Sequence, residues 1–134
     1  MVKQKTIEVA TDQRESLIDI TREVALFVQE SAIKNGQLTL FVPHTTAGVT
    51  INENADPDVE TDIIYALNKT FPNLKAFRHM EGNSDAHIKS SLIGNTQTVF
   101  IDGGKMQLGT WQGLYFCEFD GPRKRKLNLQ IIGE

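Results

Sequence analysis

The chain has 134 residues, of which 40% are hydrophobic and 23% are charged, and its formal net charge is -3. These values are typical of one soluble domain with its own core, and they give no electrostatic reason to expect nucleic acid as a partner. No apolar run approaches the ~20 residues that cross a bilayer, the first residues lack the apolar segment of a signal peptide, and the single cysteine, Cys117, excludes an intrachain disulfide. We therefore expect a single cytoplasmic domain over residues 1–134 with no membrane partner.

Two strands and a helix are predicted at the start of the chain. Lys3–Ala10 and Ser16–Ile20 are interpreted as strands, the first because its polar and apolar residues alternate. Thr21 is predicted to be an N-cap, and the apolar stripe that follows at helical spacing predicts a helix that ends at Gly36. Alternation over Gln37–Val42 then predicts a third strand.

Polar residues flank the next predicted strand on both sides. His44 and Thr45 lie before it, at a strand end where binding sites are often built; the alternative for His44 is a histidine that bonds to the loop backbone. Beyond the strand, Asp56 is predicted to cap a helix, which gives its carboxylate a structural reason. Glu53 and Asn54 precede this cap and have no such reason, so they are candidate site residues.

The segment His79–His87 is the densest polar stretch, with two of the three histidines, two carboxylates, an amide and a hydroxyl. A solvated loop is one interpretation, but two histidines so close together favour a site. Ser84 or Asp85 is predicted to cap a helix that runs to Gly94. His87 then lies in the first turn, where the helix dipole disfavours imidazolium, so we expect this histidine to be neutral.

The last third of the chain is predicted to contain strands and turns. Thr96–Asp102 alternates and precedes a glycine turn, and Leu114–Phe119 and a final strand after Gly121 complete the set. Between them, Gly109–Gly113 carries the only tryptophan, and its glycines would let the backbone approach a ligand. Glu118 lies among apolar neighbours and is expected to have a partner or a chemical role. About seven strands and two or three helices predict the α+β class.

Three chemistries compete for these residues. The first is a site for zinc or a similar divalent ion, formed by three imidazoles with an acid such as Glu118 or Glu81 nearby. The second is recognition of phosphate by Lys89, Arg123 and Arg125, by glycine-rich turns and by a helix N-terminus. The third is acid–base catalysis by histidine–carboxylate pairs.

Four blocks of the sequence resemble the YjbQ-like family, which is also called the secondary thiamine-phosphate synthase family. The blocks are, in order, His44–Val49 with Asn52–Pro57, His79–Lys89, Gly109–Gln112, and Glu118–Arg123. The resemblance implies a YjbQ-like, two-sheet α+β sandwich that assembles as a homotrimer, with a polar pocket at the motif residues. The implied activity joins a hydroxymethylpyrimidine diphosphate to a thiazole phosphate and releases diphosphate, as a side activity that leaves the main substrate open.

The residues of the expected site fall into three groups. The catalytic group comprises Glu53, His79, Glu81 and Glu118. The group that binds a phosphorylated small-molecule substrate comprises Thr45, Asn54, Asn83, Lys89, Gly109, Thr110, Gln112 and Arg123. The group that binds a divalent metal ion, zinc or magnesium, comprises His44, His79 and His87. The alternative is a non-catalytic trimeric module that binds a divalent metal or a phosphorylated metabolite, and turnover distinguishes the two.

Overall fold

The computed structural model describes residues 1–134 and contains eight strands and three helices. In chain order, the elements are β1 (Val2–Ala10), β2 (Ser16–Asp19), α1 (Thr21–Ser31), β3 (Asn35–Phe41), β4 (Ala47–Glu53), α2 (Pro57–Thr70), α3 (Ser84–Ile93), β5 (Thr96–Asp102), β6 (Lys105–Met106), β7 (Gln112–Glu118) and β8 (Lys124–Gly133). The predicted α+β class is confirmed, and β6 is the strand that the sequence did not indicate, since two residues are too few to alternate. None of the helices has both the length and the apolar character needed to cross a bilayer.

The strands form two antiparallel sheets that enclose the core. The five-stranded sheet has the order β1-β8-β3-β5-β6, and the three-stranded sheet has the order β2-β7-β4. Inward-facing side chains from both sheets, among them Leu38, Phe116 and Leu129, are buried in one apolar cluster. Because removing apolar surface from water is the dominant favourable term in folding, this cluster holds the two sheets together.

The two sheets differ in what covers their outer faces. On the three-stranded sheet, Ile64 of α2 packs near Cys117 of β7 and near Phe119, which follows that strand, and α3 contacts β4. On the five-stranded sheet, the outward-facing Phe41 and Phe100 remain 42% and 69% exposed. The outer face of the five-stranded sheet is therefore left without a helical cover.

Helix α1 ends earlier than the sequence indicated. It stops at Ser31, and Ala32 takes a left-handed conformation with φ 61°, whereas Gly36, the predicted stop, lies in β3. A Cβ at Gly36 would lie 2.1 Å from the carbonyl oxygen of Ile132, so only glycine allows β3 and β8 to pair this closely. The prediction was wrong because a strand glycine can mark a close backbone approach as well as a helix end.

The predicted N-caps of the three helices can be compared with the observed helix starts. The predicted cap of α2 is confirmed, since Asp56 Oδ1 accepts a hydrogen bond from a first-turn backbone N–H at 2.9 Å. Thr21 is instead the first residue of α1, and its hydroxyl accepts a hydrogen bond from Leu114 N at 2.9 Å. Helix α3 starts at Ser84, so the cap position belongs to Asn83, whose side chain makes no capping bond.

Candidate functional site

The three histidines lie at one end of the sandwich. The rings of His79 and His87 meet edge to face, with centroids 5.2 Å apart and planes at 84°. His87 and His44 line one cleft of about 450 Å³. His44 reaches it from the loop between β3 and β4, and His87 reaches it from the first turn of α3. Residues 35 or more positions apart in sequence are thus brought together by the packing of α3 on β4.

The cleft is polar throughout and contains no carboxylate. Its lining residues are His44, Thr45, His87, Ser90, Ser91, Gly94 and Asn95. Two of the hydroxyls are already donors, because Ser90 Oγ bonds to Ala47 O at 2.7 Å and Ser91 Oγ bonds to His87 O at 2.9 Å. Donors remain on Thr45 Oγ1 and on the Asn95 amide, which makes the lining suited to an anion.

His44 bonds to the backbone, as in the alternative interpretation of its sequence position, but the donor lies in strand β8 and not in a loop. Its Nε2 accepts a hydrogen bond from Lys126 N at 2.8 Å. Burial is the largest cause that lowers the pKa of His44 below its ordinary value, and the nearby Arg125 guanidinium lowers it further. His44 is therefore neutral, with its proton on Nδ1 and no free lone pair on Nε2.

Glu118 is a buried ion-pair partner and is not placed as a free catalytic base. Its carboxylate accepts hydrogen bonds from Thr11 Oγ1 at 2.8 Å, from Asp120 N at 3.0 Å and from Arg125 Nε at 2.8 Å, and it contacts Arg125 Nη2 as well. Burial opposes ionisation, but these donors hold the pKa of Glu118 below its usual range. Arg125, expected to bind an anion, is 2% exposed and also donates to Thr46 Oγ1 at 2.8 Å.

Lys89 is also a structural residue in this fold. The side chain is fully buried, and its three ammonium protons are directed to Glu15 Oε2 at 3.1 Å, Asn68 Oδ1 at 2.5 Å and Asp85 Oδ2 at 3.0 Å. Asp85 is in addition bound by Arg14 Nη2 at 3.0 Å. This network joins α3 to α2 and to the turn after β1, and it leaves Lys89 no donor for the expected phosphorylated substrate.

The remaining expected residues of this end surround the start of α3. Asn83 Nδ2 donates to Asp120 Oδ2 at 2.7 Å and, at a longer 3.5 Å, to Glu81 Oε2. Arg123 is half-exposed and pairs with the same Asp120 carboxylate at 3.1 Å. Asn83 Oδ1 is buried without a hydrogen-bond partner. Asp120, absent from the expected site residues, is thus the residue that links Asn83 to Arg123.

The other expected residues lie at the opposite end of the three-stranded sheet. Glu53 pairs with Gln112 at one end of the β4–β7 ladder, and Ala47 pairs with Glu118 at the other. Seven paired positions span about 20 Å at ~3.3 Å per residue. The residues at this second end are Glu53, Asn54, Gly109, Thr110 and Gln112, joined by bonds from Gly109 N to Gln112 Oε1 at 2.8 Å and from Asn54 N to Trp111 O at 2.9 Å.

The histidines do not form a prepared metal site within one chain. No group of three or more His, Cys, Asp or Glu side chains is arranged to hold a metal ion. His44 cannot contribute Nε2 without losing its bond to Lys126 N. The divalent ion expected from the sequence therefore stays a prediction, and no chemical step below depends on it.

Four lining residues were not among the expected site residues: Ser90, Ser91, Gly94 and Asn95. One signal could have indicated Ser91, because positions i and i+4 share a helix face and Ser91 follows His87 by four. Asn95 carried no such signal. It lies beside His44 only because Val42 N donates to Asn95 O at 2.8 Å across two elements distant in sequence.

Fold and site together define a small α+β sandwich protein with a histidine-lined polar cleft at one end. Among such proteins, the chain belongs to the UPF0047 protein YjbQ-like family, whose model matches residues 5–134. The resemblance carried by the four sequence blocks is thereby confirmed.

Relatives and solved structures agree with this membership. A UPF0047 protein of Methanocaldococcus jannaschii is 54% identical over 127 residues, which cover 95% of this chain and 92% of the relative. The UPF0047 protein YugU of Bacillus subtilis is 51% identical over 130 residues, with coverage of 96% and 98%. A crystal structure of a family member from Clostridium acetobutylicum matches with a TM-score of 0.93 at 52% identity, covering 96% of this chain and 99% of that one. A YbjQ-like protein from Sulfolobus solfataricus matches with a TM-score of 0.96 at 32% identity, with coverage of 100% and 99%.

Proposed function

We propose that this chain is a transferase that binds phosphorylated small molecules in the histidine-lined cleft and joins a hydroxymethylpyrimidine diphosphate to a thiazole phosphate. One observation carries the proposal: the cleft is lined by six residues with polar side chains and by Gly94, and none of them is a carboxylate. A diphosphate needs donors and no competing negative charge. The activity itself comes from the family resemblance, and the substrate that the protein uses in the cell is a separate question.

The reaction requires no proton transfer by the protein. The bond from the pyrimidine methylene carbon to the diphosphate oxygen breaks, and its electron pair leaves with the diphosphate. The lone pair of the thiazole nitrogen forms the new carbon–nitrogen bond, and that nitrogen becomes positively charged without losing a proton. A general base is therefore unnecessary, which agrees with a cleft that no carboxylate lines and with a Glu118 carboxylate that is saturated by hydrogen bonds.

The protein's task is to stabilise the charge that develops on the leaving group. His44 can donate through Nδ1–H, since its Nε2 is held by Lys126 N at 2.8 Å. Thr45 and Asn95 supply further neutral donors in the same cleft. Lys124 and Lys126 are exposed on the strand beside His44 and take part in no salt bridge, so their positive charge is available to attract phosphorylated substrates.

A turnover assay with a matched control tests the proposal. Purified wild type is incubated with both phosphorylated substrates, and thiamine phosphate and diphosphate are measured. The His87→Ala variant is expected to lose at least about tenfold in kcat/KM, the effect of removing one positioned polar group from a site. The Glu30→Ala variant, at an exposed position of α1 outside the cleft lining, should keep wild-type turnover.

Two results would overturn the transferase proposal. Equal turnover in wild type and His87→Ala would move the reaction away from the cleft. Binding of diphosphate to wild type by calorimetry without any turnover would favour the alternative, a non-catalytic module for phosphorylated metabolites. The assays are run in parallel with and without divalent ions, because the sequence predicts a zinc or magnesium ion at this site.

A further inference from the structure

The expected site residues form two half-sites that one chain does not bring together. The first half-site is the histidine-lined cleft, and the second is the turn Gly109–Gln112 with Glu53 and Asn54. They lie towards opposite ends of the β4–β7 ladder, whose seven paired positions span about 20 Å. A ligand in the cleft therefore meets only the first half-site, although residues of both belong to the blocks that carry the family resemblance.

The two ends of the molecule carry complementary charge. Around the second half-site, Glu53, Asp56, Asp58 and Glu60 are exposed or half-buried, and none of them is in a salt bridge. The pKa of Tyr115 in this region is raised, first by burial and then by the neighbouring Glu60 carboxylate. At the cleft, by contrast, the charges on β8 that take part in no salt bridge are the ammonium groups of Lys124 and Lys126, and Glu8 of β1 lies opposite Lys126.

Large apolar side chains are exposed beside each half-site. Trp111 is 62% exposed in the turn of the second half-site, and Met80 is 99% exposed next to His79. Trp and Met are enriched at protein–protein interfaces relative to the rest of the protein surface. Both half-sites thus have a rim that favours a protein partner.

The uncovered face of the five-stranded sheet connects the two ends. Strand β5 starts at Thr96, directly after Asn95 of the cleft, and ends at Asp102, shortly before the Gly109 turn. Between these ends, Phe100 projects outward and is 69% exposed. A copy of the chain that covers this face would bring one of its own ends near each end of the first copy.

We infer that the functional site is completed between two copies of this chain, with the Gly109–Gln112 turn of one copy closing the histidine-lined cleft of the next. The acidic end of one copy meets Lys124 and Lys126 of its neighbour. A contact between two different patches repeats from copy to copy and closes into a ring at a fixed rotation, which is the arrangement a trimer requires. The inference rests on the proposed function for the identity of the ligand. The partner is a second copy of this chain.

Cross-linking between chains tests this arrangement without any assay of activity. The full chain carries Ser91→Cys in the cleft and Thr110→Cys in the turn, and it is treated with a short bismaleimide. The native Cys117 is buried and should react slowly. Because the two new thiols lie towards opposite ends of a ladder that spans about 20 Å within one chain, a short linker should join them only between copies. Denaturing gels should then show covalent species of two and three chains.

A control pair shows whether the linkage is specific. Ser91→Cys combined with Gln29→Cys, on the exposed side of α1, should remain at the single-chain mass of 15.0 kDa. A second pair, Asn95→Cys with Trp111→Cys, guards against poor folding or geometry of the first. If both test pairs yield only single chains, or link no better than the control pair, the composite site is wrong.

Subunit mixing adds a functional readout. His87→Ala damages the cleft and Gln112→Ala damages the turn, so each variant alone should have little turnover. After joint refolding in equal amounts, about a quarter of the sites combine an intact cleft with an intact turn, and turnover should return to that fraction of wild type. No recovery in proven mixed oligomers would overturn the inference. If wild type has no turnover but the cysteine pairs link, the proposed function fails and the composite site stands.

Discussion

The buried pair of Glu118 and Arg125 determines how residues at the histidine end are held. Arg125 donates to Glu118 and to Thr46, which connects β7, β8 and the loop that carries His44. Both side chains are at most 2% exposed. A buried pair is strongly destabilising to break, because the remaining charge has no partner and cannot reach water.

Removing Glu118 should therefore reduce stability far more than removing an exposed partner. Glu118→Ala is expected to lower the free energy of unfolding by about 3–5 kcal/mol. Glu30→Ala removes the exposed pair with Lys5, whose atoms are 3.7 Å apart, and should change it by less than about 1 kcal/mol. Urea unfolding followed by circular dichroism measures both. Similar losses in the two variants would contradict the structural role of Glu118.

His44 should make stability depend on pH near neutrality. Burial and Arg125 lower its pKa in the folded chain below the ordinary 6.5, so the unfolded chain takes up the proton first as pH falls. The stabilisation is complete above 6.5 and is lost as pH falls from there through the folded-state pKa. His44→Gln keeps an acceptor for Lys126 N but cannot titrate. The free energy of unfolding should decrease in wild type as the pH falls through this window, and it should stay constant in His44→Gln. Parallel dependence on pH in the two proteins would contradict the assignment to His44.

At the scale of single elements, the helices illustrate the difference between local and tertiary control. The start of α2 follows from adjacent residues of the sequence, since Asp56 caps the helix and Pro57 occupies its first turn. The end of α1 does not follow from its own sequence, because Gly36 serves the pairing of β3 with β8. Local rules hold where the partner atoms lie within one turn of the chain.

The cap of α2 can be tested by one substitution. Asp56→Ala removes the acceptor for the backbone N–H of Asp58 and should cost about 1 kcal/mol of stability. Asp62→Ala, in the middle of the same helix and exposed, is the control and should be close to neutral. Thermal unfolding of both variants gives the comparison. If Asp62→Ala proves the more destabilising of the two, the cap contributes less than the geometry indicates.

For the whole molecule, the uncovered sheet face is the surface on which the proposed trimer depends. Its outward residues are mostly uncharged, and Phe41, Phe100 and Ile132 remain 42–69% exposed. An antiparallel sheet can face water on one side, but large apolar side chains exposed together on that face favour cover by a protein partner. The family resemblance supplies the expectation of three copies, and the exposed face indicates where they would meet.

A charge placed on this face should separate the copies. Phe100→Lys is expected to convert a trimer into single chains of 15.0 kDa, because an unpaired ammonium group would be buried at the contact. Leu26→Lys, on α1 and 51% exposed, is the matched control and should leave the mass unchanged. Light scattering at micromolar concentration gives both masses. A wild-type mass of one chain, or a trimer in Phe100→Lys, would contradict this placement.

The sequence by itself was sufficient for features that depend on neighbouring residues. Alternation defined Thr96–Asp102 as β5 with its exact bounds, the cap at Asp56 defined the start of α2, and the four sequence blocks identified the family. Each of these signals is local or repeats a motif. Their physical basis, side-chain periodicity and short-range hydrogen bonds, is present before the chain has folded.

Only the tertiary structure decided which polar residues can meet a ligand. Glu118 and Lys89 looked like free functional groups, but they are saturated by Arg125 and by Asp85, partners contributed by packing. Glu53 and His44 looked like members of one site, but the β4–β7 ladder holds their ends about 20 Å apart. The hydrogen-bond partners of a side chain and its distance from other groups depend on how whole elements pack, and no pattern within a single segment encodes that packing.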